Sequence, residues 1–282
     1  MLATIFKGRT KLWIGGAIML AVILIAIFAP LLAPYDPYKQ NLIARLKPPF
    51  WMQGGSFKYL LGTDNYGRDL LSRLIYGSRI SLLVASASML LSCVIGLAAG
   101  ITAGYRGGRT EQAIMRLADA QMAFPDILLA IIVVAALGGG ALNLIIVLGI
   151  SRWMVYARVV FGLTRSVKRR EFIEAAASYG APDLYIVFRH ILPQLIPILT
   201  VLSTLQVAQM ILQETALSFL GLGVPSPAAT WGNILAEGRD RLFAAPWIAN
   251  AAGICIILLV LGVNLFGNGL REILDPRSNR SS

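Results

Sequence analysis

Four ionisable side chains stand inside otherwise apolar stretches of the sequence: Asp119, Asp126, Arg158 and Glu214. A charge in such a stretch is costly, and it commonly serves gating, solute contact or ion pairing. Asp119 and Asp126 are seven residues apart, so a continuous helix would place both on one face. Ion pairing with Arg152 or Arg158 is the alternative to gating or solute contact, and the sequence leaves both open.

The residue types needed for covalent, metal or phosphoryl-transfer chemistry are scarce. His190 is the single histidine, and Cys93 and Cys255 each lie within an apolar run, where cysteine usually packs as a small hydrophobic side chain. The motif G-x-x-x-x-G-K-[ST] does not occur, so the chain lacks a P-loop for ATP hydrolysis. We therefore predict no catalytic residue, no metal site and no cofactor bound by this chain.

The composition indicates a protein that lies mostly in a lipid bilayer. Hydrophobic residues make up 57% of the 282 residues, charged residues make up 14%, and the mean hydropathy is +0.70. Soluble domains carry about 25% charged residues. The net charge of +11 would also suit a nucleic-acid-binding protein. The basic residues lie between apolar runs, however, as they do in cytoplasmic loops, and we predict no nucleic-acid partner.

The apolar stretches predict six membrane crossings, each of which takes about 20 residues. The middle block, residues 120–162, is too long for one helix, and the turn-forming glycines at 138–140 divide it into two. The sequence thus predicts an all-α, polytopic membrane protein with six transmembrane helices. The predicted spans are residues 12–35, 80–105, 116–137, 141–161, 191–213 and 242–270.

The distribution of lysine and arginine predicts the orientation of these spans. Segments on the N-terminal side of the membrane carry more basic residues than the segments on the other side, although the long segment 39–79 is also basic. Cytoplasmic loops are enriched in basic residues. We therefore predict that both termini, and with them residues 163–193, are cytoplasmic.

The spans and the segments between them predict the domain boundaries. Residues 1–60 hold the first span and the start of an outer loop, and residues 61–79 are predicted to form an amphipathic helix at the outer interface. That helix would anchor the second span or contact a binding protein. Residues 80–275 form the predicted transmembrane domain, and residues 276–282 a cytoplasmic tail.

The predicted cytoplasmic segment 163–193 begins with the signals of a short helix. Glu171 and Glu174 suit the first turns, where acidic groups interact well with the helix dipole. The alanines at 175–177 favour helix and leave a smooth surface for close packing. Gly180 suits the left-handed position that ends a helix. An ordinary loop between spans is usually short and unstructured by comparison, so this segment is predicted to be a docking element.

A second short helix is predicted directly after this turn. Pro182 fits its first turn, and Pro193 is predicted to mark the return into the membrane. Apolar residues spaced by three and four positions give this helix one apolar face. They are Leu184, Val187, Phe188 and Ile191.

The stretch EAAASYGAPDLYIVFRHILP, residues 174–193, resembles the EAA motif of ABC-importer permeases. The motif is E-A-A, three residues, Gly, nine residues and I-x-L-P, and His190 stands at its Ile position, as in the peptide-type subgroup. In that family the segment forms a coupling helix that sits in a cleft of the ATP-binding subunit. The coupling residues that the resemblance implies are Glu171, Glu174, Ala175, Ala176, Gly180, Ala181, Asp183, Leu192 and Pro193.

Three further stretches, residues 61–82, 218–235 and 268–276, are similar to segments of peptide- and nickel-type importer permeases. The resemblance implies the type I ABC importer permease fold in a bacterial inner membrane. It implies three kinds of partner: a homologous permease subunit in a heterodimer, two ATP-binding subunits that use ATP and Mg²⁺, and an extracytoplasmic solute-binding protein. The implied solutes are dipeptides or oligopeptides, with nickel, glutathione or opine-like compounds as the alternative.

Two other classes of protein fit the sequence less well. A secondary transporter would show paired repeats with broken helices and an ion site at the membrane midplane. The sequence has no convincing internal repeat and few carboxylates within its apolar runs. A membrane-embedded hydrolase would need a Ser/His/Asp or metal constellation, which a single histidine does not supply. The sequence therefore favours an ATP-driven permease.

Overall fold

In the computed structural model the backbone is described from Leu2 to Leu274 and the side chains from Arg9 to Leu274. Within these limits the chain is helical and forms no β-strand. A 3₁₀ turn lies at Leu42–Ala44 and a π-helical turn at Val187–Ile191. The α-helices are α1 (Leu2–Ile27), α2 (Ala29–Leu32), α3 (Leu70–Arg106), α4 (Gly108–Met122), α5 (Asp126–Leu137), α6 (Ala141–Lys168), α7 (Glu171–Ser178), α8 (Asp183–Ile186), α9 (Leu192–Phe219), α10 (Trp231–Arg239) and α11 (Pro246–Leu274).

Five helical segments are long and apolar enough to cross a membrane, and α4 with α5 makes a sixth when the pair is counted as one span. The predicted all-α membrane fold is therefore confirmed, although several helices extend beyond the predicted limits. The five segments are Arg9–Ile27, Leu70–Arg106, Ala141–Lys168, Asp183–Phe219 and Pro246–Leu274.

The third predicted span, residues 116–137, is not one straight helix. α4 ends at Met122, α5 begins at Asp126, and the two helices are bent by 89° at the break. Pro125 explains the break, because proline lacks a backbone N–H and disfavours a helical conformation in the residue before it. The prediction that Asp119 and Asp126 share one helical face is therefore wrong.

The second span is longer than predicted, and the prediction of a separate interfacial helix over residues 61–79 is wrong. α3 begins at Leu70 and continues to Arg106 without a break. Asp69 caps it, and its carboxylate accepts a hydrogen bond from the Ser72 backbone N–H at 2.8 Å, as an N-cap residue does. The last residue of the predicted transmembrane domain, 275, and the predicted tail, residues 276–282, lie outside the described residues.

A stripe of glycines lets α3 pack directly against α6. Gly96, Gly100 and Gly104 follow each other at intervals of four residues and are all buried. A Cβ atom on Gly100 would lie 2.6 Å from both the Ala157 carbonyl oxygen and the Val160 Cβ atom. Small residues at this spacing drive close packing between helices in a membrane, where the hydrophobic effect is weak.

Replacing Gly100 with leucine is expected to destabilise the fold. The new side chain cannot fit against α6, and overpacking of this kind costs about 1–3 kcal/mol. The measurement is the thermal midpoint of the detergent-solubilised complex. Gly162→Leu is the matched control, because Gly162 lies on α6 with no atom within 4 Å of its virtual Cβ. Equal midpoints for the two variants would contradict the close packing of α3 on α6.

α1 packs along α11, and this contact brings the two ends of the described chain together. A Cβ atom on Gly15 would lie 2.3 Å from the Phe266 backbone nitrogen. Nearer the ends, Lys11 Nζ forms a 2.5 Å ion pair with Glu272 Oε1. The start of α1 and the end of α11 therefore lie on one side of the bundle.

A cluster of four buried or half-buried charges closes the opposite end of the bundle. Arg68 and Arg73, each 1% exposed, both contact Asp64 in the preceding turn and Glu237 on α10. Arg68 Nε lies 2.6 Å from Asp64 Oδ2, and Arg73 Nη1 lies 2.9 Å from Glu237 Oε2. Burial raises the pKa of Asp64, while the nearby Arg73 charge opposes that shift. The cluster fixes the start of α3 to the loop between α9 and α11.

Candidate functional site

Residues 171–186, here called the elbow, connect α6 to the helix that crosses the membrane as α9. Gly180 has φ of +82° and ends α7. The Ala181 N–H donates to the Ala176 carbonyl at 3.1 Å, and the Gly180 N–H donates to the Ala177 carbonyl at 3.0 Å. These two bonds make a Schellman motif, in which glycine occupies the left-handed position. The backbone conformation predicted for Gly180 is confirmed.

Two isoleucines attach the elbow to the membrane helices. Ile173 on α7 is 3% exposed and Ile186 on α8 is 1% exposed, and both belong to a core cluster with Tyr156 and Val167 of α6. In addition, the Tyr105 hydroxyl at the end of α3 donates to Asp183 Oδ1 at 2.8 Å. The elbow is therefore packed against α6, hydrogen-bonded to the end of α3 and continuous with α9.

Most of the predicted coupling residues lie on the exposed surface of the elbow and of the helical turn that follows it. Glu171, Glu174, Ala175, Gly180, Asp183 and Pro193 are exposed, and Ala176, Ala181 and Leu192 are half-buried. The exposed surface also holds five large apolar or aromatic side chains that hydropathy alone did not assign to it. They are Phe172, Tyr179, Leu184, Tyr185 and Phe188.

The predicted apolar face of the second helix is divided between core and surface. Ile191 is fully buried, whereas Leu184 and Phe188 are 71% and 64% exposed. Apolar spacing identified the residues correctly, but it could not distinguish a face that packs on the bundle from one that is open. The exposed pair adds apolar area next to α7 on the surface of the elbow.

The helix that begins with α8 continues through Pro193, where the sequence predicted the return into the membrane. α8, the π-helical turn and α9 run on as one segment from Asp183 to Phe219. The Leu192 N–H donates to the Val187 carbonyl, five residues back. This widened turn accommodates Pro193, which would clash with a regular preceding turn. The elbow is therefore joined to the membrane helix by continuous helix.

Replacing Gly180 with valine is expected to strain the turn of the elbow. A β-branched residue at positive φ costs about 1–3 kcal/mol, and no atom lies within 4 Å of the virtual Cβ, so the cost comes from the backbone alone. We expect a lower thermal midpoint and reduced solute uptake. Asparagine tolerates this conformation, so Gly180→Asn is the control and should stay close to the wild type. Equal loss in both variants would contradict the backbone explanation.

The intramembrane charges form ion pairs between the α4–α5 segment and α6. Arg158 Nη2 contacts Asp119 Oδ1, and Arg152 Nε lies 3.3 Å from Asp126 Oδ2. Arg165 Nη1 pairs in the same way with Glu111 Oε1 at 3.0 Å. α4 thus follows the C-terminal half of α6 as an antiparallel neighbour.

Glu214 has hydroxyl partners instead of a basic one. Its side chain is fully buried in α9, and Oε1 accepts a hydrogen bond from Ser218 Oγ at 2.9 Å. The hydroxyl groups of Thr230 and Ser81 also lie beside it. Glu214 therefore forms no ion pair with any described residue, and the ion-pair alternative is wrong for it. Its contacts with the hydroxyl groups join α9 to α3 and to the loop before α10.

Sequence reasoning missed two sets of polar residues that the fold brings together. One is the cluster formed by Asp64, Arg68, Arg73 and Glu237. The other is the set of glutamines on α9 that face Arg152. Each set includes a partner from a distant part of the sequence, Glu237 in the first and Arg152 in the second, so local patterns could not bring the set together. Among the described residues, no group of three His, Cys, Asp or Glu side chains could hold a metal ion.

Two family models match this sequence. Residues 96–280 match the family described as "Binding-protein-dependent transport system inner membrane component". Residues 5–49 match "N-terminal TM domain of oligopeptide transport permease C". Between them the two matches include α1 and every helix from the middle of α3 onward.

Several named proteins are similar over almost the whole chain. The di/tripeptide transport system permease protein DppC of Pseudomonas aeruginosa is 42% identical over 265 residues, which are 94% of this chain and 88% of that protein. The dipeptide transport system permease protein DppC of Haemophilus influenzae is 40% identical, over 96% of this chain and 92% of that protein. The glutathione transport system permease protein GsiD of Pectobacterium atrosepticum is 40% identical, over 93% and 86%.

A solved structure supports the same fold. A chain of the MetNI methionine ABC transporter, from a native crystal form with inward-facing conformations, matches with a TM-score of 0.58 and 19% identity. The match covers 73% of this chain and 98% of that chain, and at this identity it concerns the fold alone. One family model matches more than half of this chain, and relatives about 40% identical match nearly all of it. The chain therefore belongs to the family of binding-protein-dependent transport system inner membrane components, as a permease subunit of an ABC importer.

Proposed function

We propose that this permease couples ATP hydrolysis on separate subunits to the uptake of dipeptides or oligopeptides, and that the elbow is the part of the chain that binds an ATP-binding subunit. A permease of an ABC importer implies ATP-binding subunits and a solute-binding protein. The observation that carries the proposal is the combination of an open outer surface on the elbow with Ile173 and Ile186 buried against the bundle. A partner that moves the elbow would therefore move the membrane helices with it.

The charge around the elbow supports a macromolecular partner that places acidic groups opposite the flanking arginines. Five basic residues flank it, and three of them already have partners within the chain: Arg165 with Glu111, Lys168 with the Tyr105 carbonyl and Arg170 with Gln194. Arg169 and Arg189 are exposed beside the apolar side chains. Binding interfaces are typically enriched in aromatic residues and arginine, as this surface is.

We propose that both termini and the elbow face the cytoplasm of a bacterium whose inner membrane holds the protein. The start of α1 lies beside the end of α11, because Lys11 and Glu272 form an ion pair. With the bent pair counted as one span, six crossings place the elbow on that same side. The outer side would then hold the loops 33–69 and 220–245, which would meet the solute-binding protein. The second half of the pathway would come from a homologous permease subunit.

The relatives favour peptides as the solute. Two of them are named for dipeptide or di/tripeptide transport and one for glutathione, which is itself a peptide. Nickel or opine-like solutes remain the alternative within the same type of permease. ATP and Mg²⁺ would be bound by the ATP-binding subunits.

Cysteine crosslinking tests the position of the elbow. In a chain with Cys93 and Cys255 replaced by serine, Ala177→Cys is introduced on the exposed face of α7 and the complete transporter is purified. A short reagent with a maleimide at one end and a succinimidyl ester at the other, which joins a thiol to a lysine amine, is expected to link this position to the ATP-binding subunit. Ile257→Cys, exposed on α11 within the membrane, is the control and should give no such product. Crosslinking of Ala177→Cys to the solute-binding protein instead would refute the assignment.

A further inference from the structure

Four polar side chains from three helices meet inside the membrane region. Arg152 on α6 is 3.3 Å from Asp126 at the start of α5, and its Nη2 donates to Gln209 Oε1 on α9 at 3.3 Å. With the Gln213 amide turned so that its oxygen faces Arg152, that oxygen accepts two more hydrogen bonds at 3.2 and 3.3 Å. These residues, Asp126, Arg152, Gln209 and Gln213, are here called the midplane cluster.

The cluster lies about halfway through the membrane. Arg152 is eleven residues from the outer end of α6 at Ala141, and Asp126 is eleven residues from the outer end of α5 at Leu137. Gln209 is ten residues from the end of α9 at Phe219. At 1.5 Å per residue, each residue is about 15–17 Å from the outer end of its helix, and the hydrocarbon core is about 30 Å thick.

The surface around the cluster is unsuited to lipid. Gln209 is exposed, and so are the three residues at 123–125, where the helix between α4 and α5 is broken. Backbone outside a helix is tolerated at membrane depth only where it is covered by protein or lines a water-filled cavity. Ionisable residues at this depth likewise face a bundle interior or an aqueous path.

The chemistry of the cluster matches a small zwitterion. The Arg152–Asp126 contact of 3.3 Å is longer than the 2.7–2.9 Å typical of charge-assisted hydrogen bonds. If the two side chains rotate apart, a molecule with a carboxylate and an ammonium group could pair with both of them. Its carboxylate would take the place of Asp126 beside Arg152, and its ammonium group would take the place of Arg152 beside Asp126. Such an exchange buries no net charge, and the two glutamine amides provide further donors and acceptors.

We propose that the midplane cluster lines the solute pathway and binds the charged ends of a small zwitterionic solute. The solute carboxylate binds Arg152, and its ammonium group binds Asp126. This inference rests on the proposed function, because a dipeptide with free termini is the solute that carries both groups. The cluster therefore acts as a transient binding site halfway across the membrane.

Thiol labelling in the assembled transporter tests the proposal. Gln209→Cys is made without Cys93 and Cys255, and a membrane-impermeant cationic methanethiosulfonate is added to proteoliposomes containing ATP and the binding protein. We expect labelling at least about tenfold faster than at Ile257→Cys, an exposed apolar position at similar depth on α11. Dialanine should slow the labelling of Gln209→Cys.

A second substitution identifies the group that holds the solute. Adding Arg152→Gln should raise the dialanine concentration needed for half-protection by about tenfold, as expected for loss of one charged hydrogen bond. Arg165→Gln, which removes a different ion pair of α6, should leave that concentration unchanged. The proposal is wrong if Gln209→Cys is labelled as slowly as Ile257→Cys, or if dialanine gives no protection. If the wild-type transporter takes up no dialanine, the proposed function fails instead, and the labelling rate still reports whether this face meets water.

Discussion

Uptake by the Glu174→Arg variant is expected to fall by about 100-fold while the permease stays folded. Glu174 is exposed on α7, and its carboxylate forms no ion pair within the part of the chain that the structure describes. Reversing its charge should therefore cost the isolated permease only about 0.3–1 kcal/mol, through the helix dipole. At a closed protein interface, a misplaced charge costs several kcal/mol, and 100-fold corresponds to about 2.7 kcal/mol.

The measurements are solute uptake and solute-stimulated ATP hydrolysis by the reconstituted transporter, with the thermal midpoint of the same preparation. Ser166→Arg is the control, because Ser166 is exposed near the end of α6 and lies outside the elbow. It should retain uptake close to that of the wild type. Normal uptake by Glu174→Arg in a folded complex would refute the role of the elbow.

Arg73→Met is expected to lower the free energy of unfolding by about 3–5 kcal/mol, which is the usual cost of removing one partner from a buried ion pair. Arg73 is 1% exposed and contacts both Asp64 and Glu237. Burial raises the pKa of Glu237, and the Arg73 charge opposes that shift. Without Arg73, two carboxylates would share Arg68 alone, and the start of α3 would be held less firmly to α10.

Two further variants test that explanation by thermal or denaturant unfolding of the purified complex. Arg79→Met removes an exposed arginine of α3 that lies over the Tyr76 ring and outside the charge cluster, and it should have little effect. Arg73→Met combined with Glu237→Met leaves the neutral pair of Arg68 and Asp64, so it should recover much of the lost stability. A double variant less stable than Arg73→Met alone would contradict the charge-balance explanation.

Much of the candidate coupling segment could be predicted because its signals are local. A left-handed C-terminal position needs glycine wherever it occurs, so Gly180 identified the turn. The sequence did not predict that the next helix is continuous with the membrane span. Whether Pro193 ends a helix or is accommodated in a widened turn depends on how residues 187–192 pack against α6.

The charged residues were likewise predictable only in part. Their presence within apolar runs marked Asp119, Asp126 and Arg158 as ion-pair candidates, and the structure pairs them. The assumption of one continuous third span was wrong, because Pro125 allowed either a kink or a full break and only the tertiary contacts selected a bend of 89°.

The sequence by itself determined that the chain crosses a membrane as an all-helical bundle and carries a structured segment between its apolar runs. Hydropathy and turn chemistry are properties of adjacent residues, so they can be read without a fold. Only the tertiary structure decided which face of the elbow is open, which glycines of α3 touch α6, and that Arg152 meets Asp126 and Gln209. Those contacts join residues tens of positions apart, and their geometry depends on helix packing that no local pattern specifies.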